Sequence, residues 1–427
     1  MSVFVKESER CATMSDMTTM EKNTKAREVL SRIVKAVSLP EGGDRLIHYT
    51  MILLAFFGLI MMTSASMGLV MGDNAGFYLM VQIVKQSVFL VAGYGMLLII
   101  ARLFHVDMLK NRYFFLIYIF MLFGLLACLL FPEQYGARAW IRIPLPRIDM
   151  SIQPSEFAKI VSILMIASYS GDIRKKQPHG FLFVIRPFVL MMIYVIIILF
   201  PQSDLGSAAV LFLISCVCLL VPNNKQMRPF QILLKVLFWI SLAAVIFVLT
   251  PYGESVIMTL PIQTYQKQRF LSAIDPFQDR YGSGFQLISG LISFVGGGWF
   301  GRGYGNSILK YSQFPAANSD FILAILVEEL GFVGFLFLMA LYFIIVFRLL
   351  HWARMIHNEK AKIILVGTAM YILIHMIFNI GGVTALIPLT GVPLLMVSAG
   401  GSSTLSILIC LGFAQAVIRA KNRGEIE

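Results

Sequence analysis

The stretch ILAILVEELGFVGFLFLMALYFIIVF, residues 322–347, is long enough to cross a membrane as one helix. Glu328 and Glu329 are the only charged residues within it. A helix needs roughly 20 apolar residues to span the hydrocarbon core of a bilayer. The whole chain of 427 residues has this character, since 58% of its residues are hydrophobic and 14% are charged; in soluble domains about a quarter are charged. The composition predicts an all-α polytopic membrane protein. It excludes a disulfide-rich secreted scaffold, a disordered chain and a cytosolic enzyme with a nucleotide-binding fold.

Apolar segments of this kind recur along the chain and predict ten transmembrane helices. The predicted spans are 48–70, 79–101, 113–131, 155–170, 184–200, 206–221, 231–250, 322–347, 363–385 and 394–418. A large extracytoplasmic loop, residues 251–321, separates the seventh span from the eighth. The predicted organisation is an N-terminal tail (1–46), a ten-span membrane domain (47–420) and a C-terminal tail (421–427).

The distribution of charge predicts the orientation of the chain. The formal net charge is +12, and cytoplasmic loops of membrane proteins carry an excess of Lys and Arg. The predicted outer loops 71–78, 201–205 and 386–393 contain neither residue, whereas the loops on the side of the termini are basic. Both termini are therefore predicted to be cytoplasmic, and the positive charge needs no nucleic-acid partner.

Two predicted outer loops break this rule. Loop 132–154 carries Arg138, Arg142 and Arg147, and the long loop carries Lys267, Arg269, Arg280, Arg302 and Lys310. Basic side chains kept on the outer face indicate an anionic partner there, and lipid phosphate is the obvious candidate.

The long loop also contains an apolar segment and a run of alternating glycines. Residues 285–300 are too short and too rich in glycine to span, so we expect a re-entrant or interfacial segment. Gly301, Gly303 and Gly305 lie outside any βαβ unit, so they predict a flexible loop rather than a dinucleotide site.

Asp320 precedes the eighth span and admits two interpretations. Asn318, Ser319 and Asp320 are all suitable caps for the helix that follows. Alternatively, a carboxylate at the membrane boundary beside a basic loop could accept a proton during catalysis. The sequence leaves both open.

Further charged residues lie inside the predicted spans. Glu328 and Glu329 mark either a functional site or a structural pair with a cation from elsewhere. Glu156 and Lys159 share one helix face and predict a local ion pair, although Lys159 then lies within an apolar run. Asp204 is interpreted as the cap of a short outer turn.

The histidines and cysteines predict no metal site. The six histidines are scattered, and Cys216 and Cys218 have one residue between them, which is not a metal-ligand spacing. The metal requirement stays open at this point.

Five blocks of sequence, in order, resemble the SEDS family (shape, elongation, division and sporulation), whose members include FtsW, RodA and SpoVE. The blocks are GARAWIRIPLPRIDMSIQPSEFAK (136–159), QSDLGS (202–207), RFLSAIDPFQDRYGSGFQ (269–286), GYGNSILKYSQFPAANSDFILAILVEELGFVG (303–334) and NIGGVTALIPLTGVPLLMVSAGGSS (379–403). The resemblance covers nearly the whole chain from about residue 48 to 418 and is weakly closer to FtsW. The chain departs from the family pattern at Ala316, where an acidic residue is usual.

The resemblance implies a peptidoglycan glycosyltransferase that polymerises lipid II, the undecaprenyl-pyrophosphate disaccharide-pentapeptide. It implies a location in the bacterial plasma membrane, with the division septum as one possible site. Its implied partners are a class B penicillin-binding protein, other divisome or elongasome proteins and membrane lipids.

The resemblance also implies the site residues. Asp320 is the essential aspartate. The substrate-binding positions are Arg138, Trp140, Gln153, Glu156, Lys159, Arg269, Gln286 and Lys310. Glu328, Glu329, Ser402 and Ser403 are supporting positions.

These residues suggest an inverting mechanism with Asp320 as the general base and basic residues holding the lipid pyrophosphate. A divalent cation, Mg²⁺ or Mn²⁺, could share that role, although the sequence shows no ligands for one and no other cofactor is indicated. Two rival functions stay open: a lipid II flippase or transporter, for which intramembrane charges would line the path, and a non-catalytic scaffold for a transpeptidase.

Overall fold

The computed structural model describes residues 38–68, 75–109, 111–134, 136–145, 148–171, 181–250, 252–259, 264–282, 284–312, 314 and 316–427. Most of the predicted N-terminal tail and Arg147 lie outside these residues. The helices and strands belong to the unit Gly42–Glu427. In chain order they are α1 (Arg45–Met67), α2 (Ala75–Leu103), α3 (Asn111–Ala127), β1 (Ile141–Leu145), β2 (Ile148–Ile152), α4 (Pro154–Ser170), α5 (Phe181–Leu199), α6 (Leu205–Leu220), α7 (Arg228–Val248), α8 (Gly253–Thr259), α9 (Thr264–Ile274), α10 (Phe285–Gly297), α11 (Ile322–Met355), α12 (Glu359–Val383) and α13 (Gly401–Asn422).

The helices carry the apolar surface expected of a membrane protein. In the described part of the chain, seven helices are long and apolar enough to cross a membrane. Large apolar side chains stay exposed on them, for example Phe120, which is 79% exposed, and Trp239, which is 65% exposed. A soluble protein rarely leaves so much apolar surface uncovered. The all-α prediction is confirmed, while the count of ten spans stays a prediction.

The last predicted span is wrong at its start. Hydropathy predicts helix over residues 394–400, but α13 begins only at Gly401. Leu394 and Val397 are buried in turns rather than in a helix. The Ser398 hydroxyl accepts a hydrogen bond from the Leu394 backbone N–H at 2.8 Å, which holds the turn closed. An apolar run can thus form a buried loop, and hydropathy alone does not distinguish a buried loop from a transmembrane helix.

The loop with the unexpected arginines, residues 132–154, contains a β-hairpin. Strands β1 and β2 pair antiparallel, with Ile141 opposite Ile152 and Ile143 opposite Met150. The second strand leads directly into α4, whose first residue is Pro154. Proline suits this position because its missing N–H would have no partner in the first turn. The hairpin therefore fixes where α4 begins.

Helix α11 is broken at Gly331, whose φ of 70° and ψ of −169° are not helical. The break leaves backbone carbonyl groups of α11 without helical partners. The segment after α10 supplies hydrogen-bond donors for them. The N–H groups of Arg302 and Gly303 donate to the carbonyl oxygens of Glu328 and Glu329, both at 2.9 Å. Irregular backbone is tolerated in a membrane protein when other parts of the chain satisfy it in this way.

The alternating glycines lie in a loop, as predicted, whereas the flexibility of that loop stays a prediction. Gly301, Gly303 and Gly305 all have positive φ, and the first packs directly against the helix break. A Cβ at Gly301 would lie 2.2 Å from the Glu329 carbonyl oxygen. Glycine is required there because the two backbones approach too closely for any side chain.

Both carboxylates of α11 hold the segment after α10, residues 298–312, in place; we call it the 298–312 segment. Glu329 forms a fully buried ion pair with Lys310, at 2.8 Å, and both side chains also bond to the Ser64 hydroxyl of α1. Glu328 accepts from the Ser307 hydroxyl at 2.6 Å and lies 3.8 Å from Arg302. The structural alternative considered for these two glutamates is therefore the arrangement observed.

We expect Lys310→Met to lower the thermal unfolding midpoint in detergent strongly. The substitution leaves the Glu329 charge buried without its cation, and breaking a buried pair costs about 3–5 kcal/mol. Adding Glu329→Gln should restore much of the loss. Lys225→Met, which makes the same change at an exposed lysine, is the matched control. An unchanged midpoint in Lys310→Met would show that the pair does not stabilise the fold.

Candidate active site

A cavity of about 630 Å³ lies between the helices, bordered by the hairpin and by two loops, residues 316–320 and 388–393. Nine of the residues predicted from the sequence line it: Trp140, Gln153, Glu156, Lys159, Arg269, Gln286, Asp320, Ser402 and Ser403. The other four do not line it. Lys310, Glu328 and Glu329 hold the 298–312 segment. Arg138 is exposed and lies close in sequence to two lining residues, Ala137 and Trp140.

Asp320 ends the loop before α11 but does not cap that helix. The helix begins at Ile322, with Phe321 at the N-cap position and no side-chain capping bond, so the capping interpretation is wrong. The Asp320 carbonyl oxygen accepts a hydrogen bond from the Asn379 side chain at 2.8 Å. The backbone is therefore held in place while the carboxylate is left to face the cavity.

The carboxylate of Asp320 and the guanidinium of Arg269 approach the same backbone position, Gly391. A Cβ at Gly391 would lie 3.4 Å from Asp320 Oδ2 and 3.5 Å from Arg269 Nη1. Gly391 has φ +70°, a conformation that glycine adopts without strain. Arg269 is anchored to the same loop, since it donates to the Leu389 carbonyl oxygen at 2.9 Å. The fold therefore brings an acid and a cation together.

The surroundings of Asp320 change its acidity. Burial raises the pKa of Asp320 to about 6, the positive charge of Arg269 acts to lower it, and the nearby carboxylate of Asp204 adds to the increase. A carboxylate with a pKa in this range is mostly ionised at neutral pH yet is a better proton acceptor than an ordinary aspartate. The site can therefore support general-base chemistry.

Glu156 and Lys159 form the predicted ion pair on α4, at 2.7 Å and almost completely buried. The second oxygen of Glu156 accepts from the Tyr371 hydroxyl at 2.6 Å. Lys159 also lies 3.0 Å from His375 Nε2. This explains how a lysine is accommodated within an apolar run: its charge is compensated and two of its N–H groups have partners.

Helix α12 contributes a set of polar residues that sequence reasoning missed. Tyr371, His375 and Asn379 are spaced four residues apart and therefore lie on one helix face; we call them the α12 polar face. Tyr371 contacts Glu156, and His375 contacts Lys159. Asn379 donates to the carbonyl oxygens of Asp320 and Val392, at 2.8 and 3.0 Å. The spacing of polar residues in an apolar helix was the signal available in the sequence.

Asp204 is a second residue whose role was missed. It caps α6 as predicted, since its side chain accepts from the Ser207 N–H at 3.0 Å. Its other oxygen accepts from the Gln153 side chain at 2.9 Å, and it lines the cavity. The Gln153 N–H in turn donates to the Ser402 hydroxyl at 3.0 Å. These bonds join α4, α6 and α13 around the cavity.

The carboxylates that could help to bind a divalent cation in the cavity are Asp204 and Asp320. Within the described residues, no group of three or more His, Cys, Asp or Glu side chains lies close enough together to hold a metal ion. A cation at this position would therefore need ligands from the substrate as well.

The comparisons with known proteins agree with the resemblance seen in the sequence. The probable peptidoglycan glycosyltransferase FtsW of Francisella salina is 30% identical over 397 residues, which is 91% of this chain and 90% of the relative. That of Bacillus subtilis strain 168 is 32% identical over 377 residues, 86% of this chain and 89% of the relative.

Solved structures show the same fold. The similar chain in the structure "Structural coordination of polymerization and crosslinking by a peptidoglycan synthase complex" has a TM-score of 0.66 and 26% identity, and the match covers 88% of this chain and 98% of that one. The rod shape determining protein RodA of Thermus thermophilus has a TM-score of 0.55 and 22% identity, covering 88% and 97%; at this identity the likeness concerns the fold alone.

A family model also matches most of the chain. The model, described as "Cell cycle protein", is that of FtsW, RodA and SpoVE, and it covers residues 44–423. The family resemblance carried by the five sequence blocks is thereby confirmed, and this chain belongs to the FtsW/RodA/SpoVE family.

Proposed function

We propose that this chain is a peptidoglycan glycosyltransferase that polymerises lipid II into glycan strands. Relatives named as probable peptidoglycan glycosyltransferases match most of its length, which supports glycosyl transfer as the activity. The observation that carries the proposal is the position of Asp320, whose carboxylate lines a cavity beside the guanidinium of Arg269.

In the proposed reaction, Asp320 accepts the proton of the 4-hydroxyl on the acceptor GlcNAc. The acceptor oxygen bonds to C1 of the donor MurNAc from the face opposite the leaving group, so the configuration at C1 inverts. The bond between C1 and the pyrophosphate oxygen breaks, and its electron pair leaves with undecaprenyl pyrophosphate. Glycosidases need a second carboxyl group to protonate an alkoxide leaving group. Pyrophosphate leaves as a stable anion, so one carboxylate suffices.

The cations of the cavity are suited to the pyrophosphate groups. Arg269 and Lys159 both line it, and fixed charges in a site of lowered dielectric stabilise a developing anion better than water does. If a divalent cation binds, Asp204 and Asp320 would help to hold it, and it would help to stabilise the charge of the leaving pyrophosphate. Lys310 is paired with Glu329 outside the cavity, and this pairing favours a structural role for Lys310.

The wider setting of the enzyme follows the family. We propose ten spans with both termini in the cytoplasm, which places the cavity toward the outer leaflet. The similar chain of the solved peptidoglycan synthase complex belongs to an assembly that coordinates polymerisation with crosslinking. This supports a class B penicillin-binding protein as the crosslinking partner of the present chain. Use during division or during elongation is a further question that localisation in the native cell would answer.

Purified Asp320→Asn, supplied with lipid II, should make glycan strands at least 100-fold more slowly than wild type. Loss of a general base typically lowers the rate by about 10²–10⁴-fold, and asparagine keeps the size of the side chain. Asp279→Asn makes the same change at an exposed outer residue and should be fully active. Polymerisation at the wild-type rate by Asp320→Asn would remove the base assignment.

The rate of polymerisation should fall as the pH is lowered through about 6, the pKa of Asp320, because the protonated carboxyl cannot accept a proton. Arg269→Gln removes a positive charge that favours the carboxylate, so the pKa of Asp320 should rise and the acid limb should move to higher pH. The measurement is the initial rate as a function of pH for both proteins.

Lys267→Gln is the control for this profile, because it removes the same charge from the same helix but outside the lining of the cavity. Its pH midpoint should match that of wild type. An Arg269→Gln midpoint that stays in place or moves to lower pH would contradict the electrostatic link between Arg269 and Asp320.

A further inference from the structure

The hydrogen bonds of His375 fix the role of each nitrogen in its imidazole ring. Nδ1 lies 3.1 Å from the carbonyl oxygen of Pro393, and a carbonyl oxygen only accepts, so Nδ1 must carry the proton. Nε2 lies 3.0 Å from the Lys159 ammonium, which only donates, so Nε2 must be the acceptor. The imidazole is therefore neutral, in a single tautomer.

The direction of the Lys159 ammonium depends on this acceptor. An ammonium has three N–H groups, and among the described residues Glu156 and His375 accept one each. Lys159 and His375 both line the cavity although both are buried from solvent. With two N–H groups held, the direction of the third is defined. The centre of the Tyr371 ring lies 5.4 Å from Lys159 Nζ, too far for a hydrogen bond, so a ligand in the cavity that Lys159 lines could accept this N–H.

The ion pair alone would leave this direction undefined. Glu156 and Lys159 are three residues apart on α4, and the ammonium group can rotate about the end of its flexible side chain. The second contact comes from α12, a different helix, and so adds a fixed point outside α4. The Tyr371 hydroxyl holds the other oxygen of Glu156, so the carboxylate cannot turn to compensate.

We propose that His375 is a positioning residue that directs the Lys159 ammonium toward an anionic group of the substrate, namely a pyrophosphate. This inference rests on the proposed function, because the anion is the one that glycosyl transfer from lipid II requires. His375 touches neither substrate nor reacting atoms; it acts through Lys159. The role is separate from that of Asn379, the next residue of the α12 polar face, which holds the Asp320 backbone.

The Nδ1 contact of His375 could give this residue a purely structural role. Its Nδ1–H bond to Pro393 holds the loop that contains Gly391, the residue facing Asp320 and Arg269. If this contact were the important one, His375 would serve the loop and not the lysine. The two roles use different ring nitrogens and can therefore be separated by substitution.

Two amide substitutions separate these contacts. In His375→Gln the side-chain amide reaches the position of Nε2 and can accept from Lys159, whereas in His375→Asn the shorter amide replaces Nδ1 and can donate only to Pro393. We expect His375→Gln to polymerise lipid II within about threefold of the wild-type rate. His375→Asn should be roughly 10- to 100-fold slower, the effect of losing a hydrogen bond to a charged group.

A second measurement separates an effect on lipid II binding from any difference in folding between the variants. Saturating lipid II should raise the thermal unfolding midpoint of a protein that binds it, and each variant is compared with its own unliganded state. This rise should be preserved in His375→Gln and reduced in His375→Asn. His351→Gln, at an exposed histidine of α11, is the control and should match wild type in both measurements.

The outcomes distinguish this inference from the proposed function. Equal effects of the two substitutions, or a more active His375→Asn, would overturn the positioning role and assign His375 to the loop. Absence of polymer from the wild-type protein would instead overturn the proposed function, whereas full activity of Asp320→Asn in the same assay would overturn only the assignment of Asp320 as the base.

Discussion

The cavity depends on a stretch of buried backbone that is not helical, residues 388–400. Every buried N–H and carbonyl group needs a partner, and the lipid phase supplies none. Side chains from the surrounding helices meet this need: Arg269 binds the Leu389 carbonyl, Asn379 that of Val392, and Tyr342 that of Leu395. The Ser398 hydroxyl extends the network to the Ser319 carbonyl at 2.7 Å. These hydrogen bonds satisfy the backbone of residues 388–400, and they also hold the 316–320 loop, which carries Asp320.

This constraint connects stability with chemistry. A carboxylate held at the edge of a buried loop loses hydration, and burial is the main cause of the raised pKa of Asp320. Arg269 limits the increase and at the same time anchors the loop. Glu156, Lys159 and His375 form a second polar group, which is joined to the loop through Pro393. Glu328 and Glu329 belong to a separate set of contacts that holds the 298–312 segment against the break in α11.

The sequence predicted the helices well because long apolar segments have few alternatives. The predicted span 363–385 corresponds to α12 at Glu359–Val383, for example. The run Leu394–Val397 was misassigned because its apolar residues are buried in a loop. A buried loop and a buried helix have the same apolar composition. Lys310 and Arg269 could not be told apart, since both are cations of one outer loop. Only the fold shows that the first has a buried carboxylate partner, whereas the second faces the cavity. The residues of the α12 polar face have the spacing of a single helix face, but the residues that they contact are far away in the sequence and could not be predicted from it.

The central claim is that acid and cation act together on a lipid-linked sugar inside this cavity. The most direct test is an experimentally determined structure of Asp320→Asn in complex with lipid II. We expect a GlcNAc 4-hydroxyl within hydrogen-bonding distance of the side chain at position 320, and a pyrophosphate in contact with Arg269 and Lys159. A headgroup bound on the outer surface near Arg138, with the cavity empty of substrate, would contradict it.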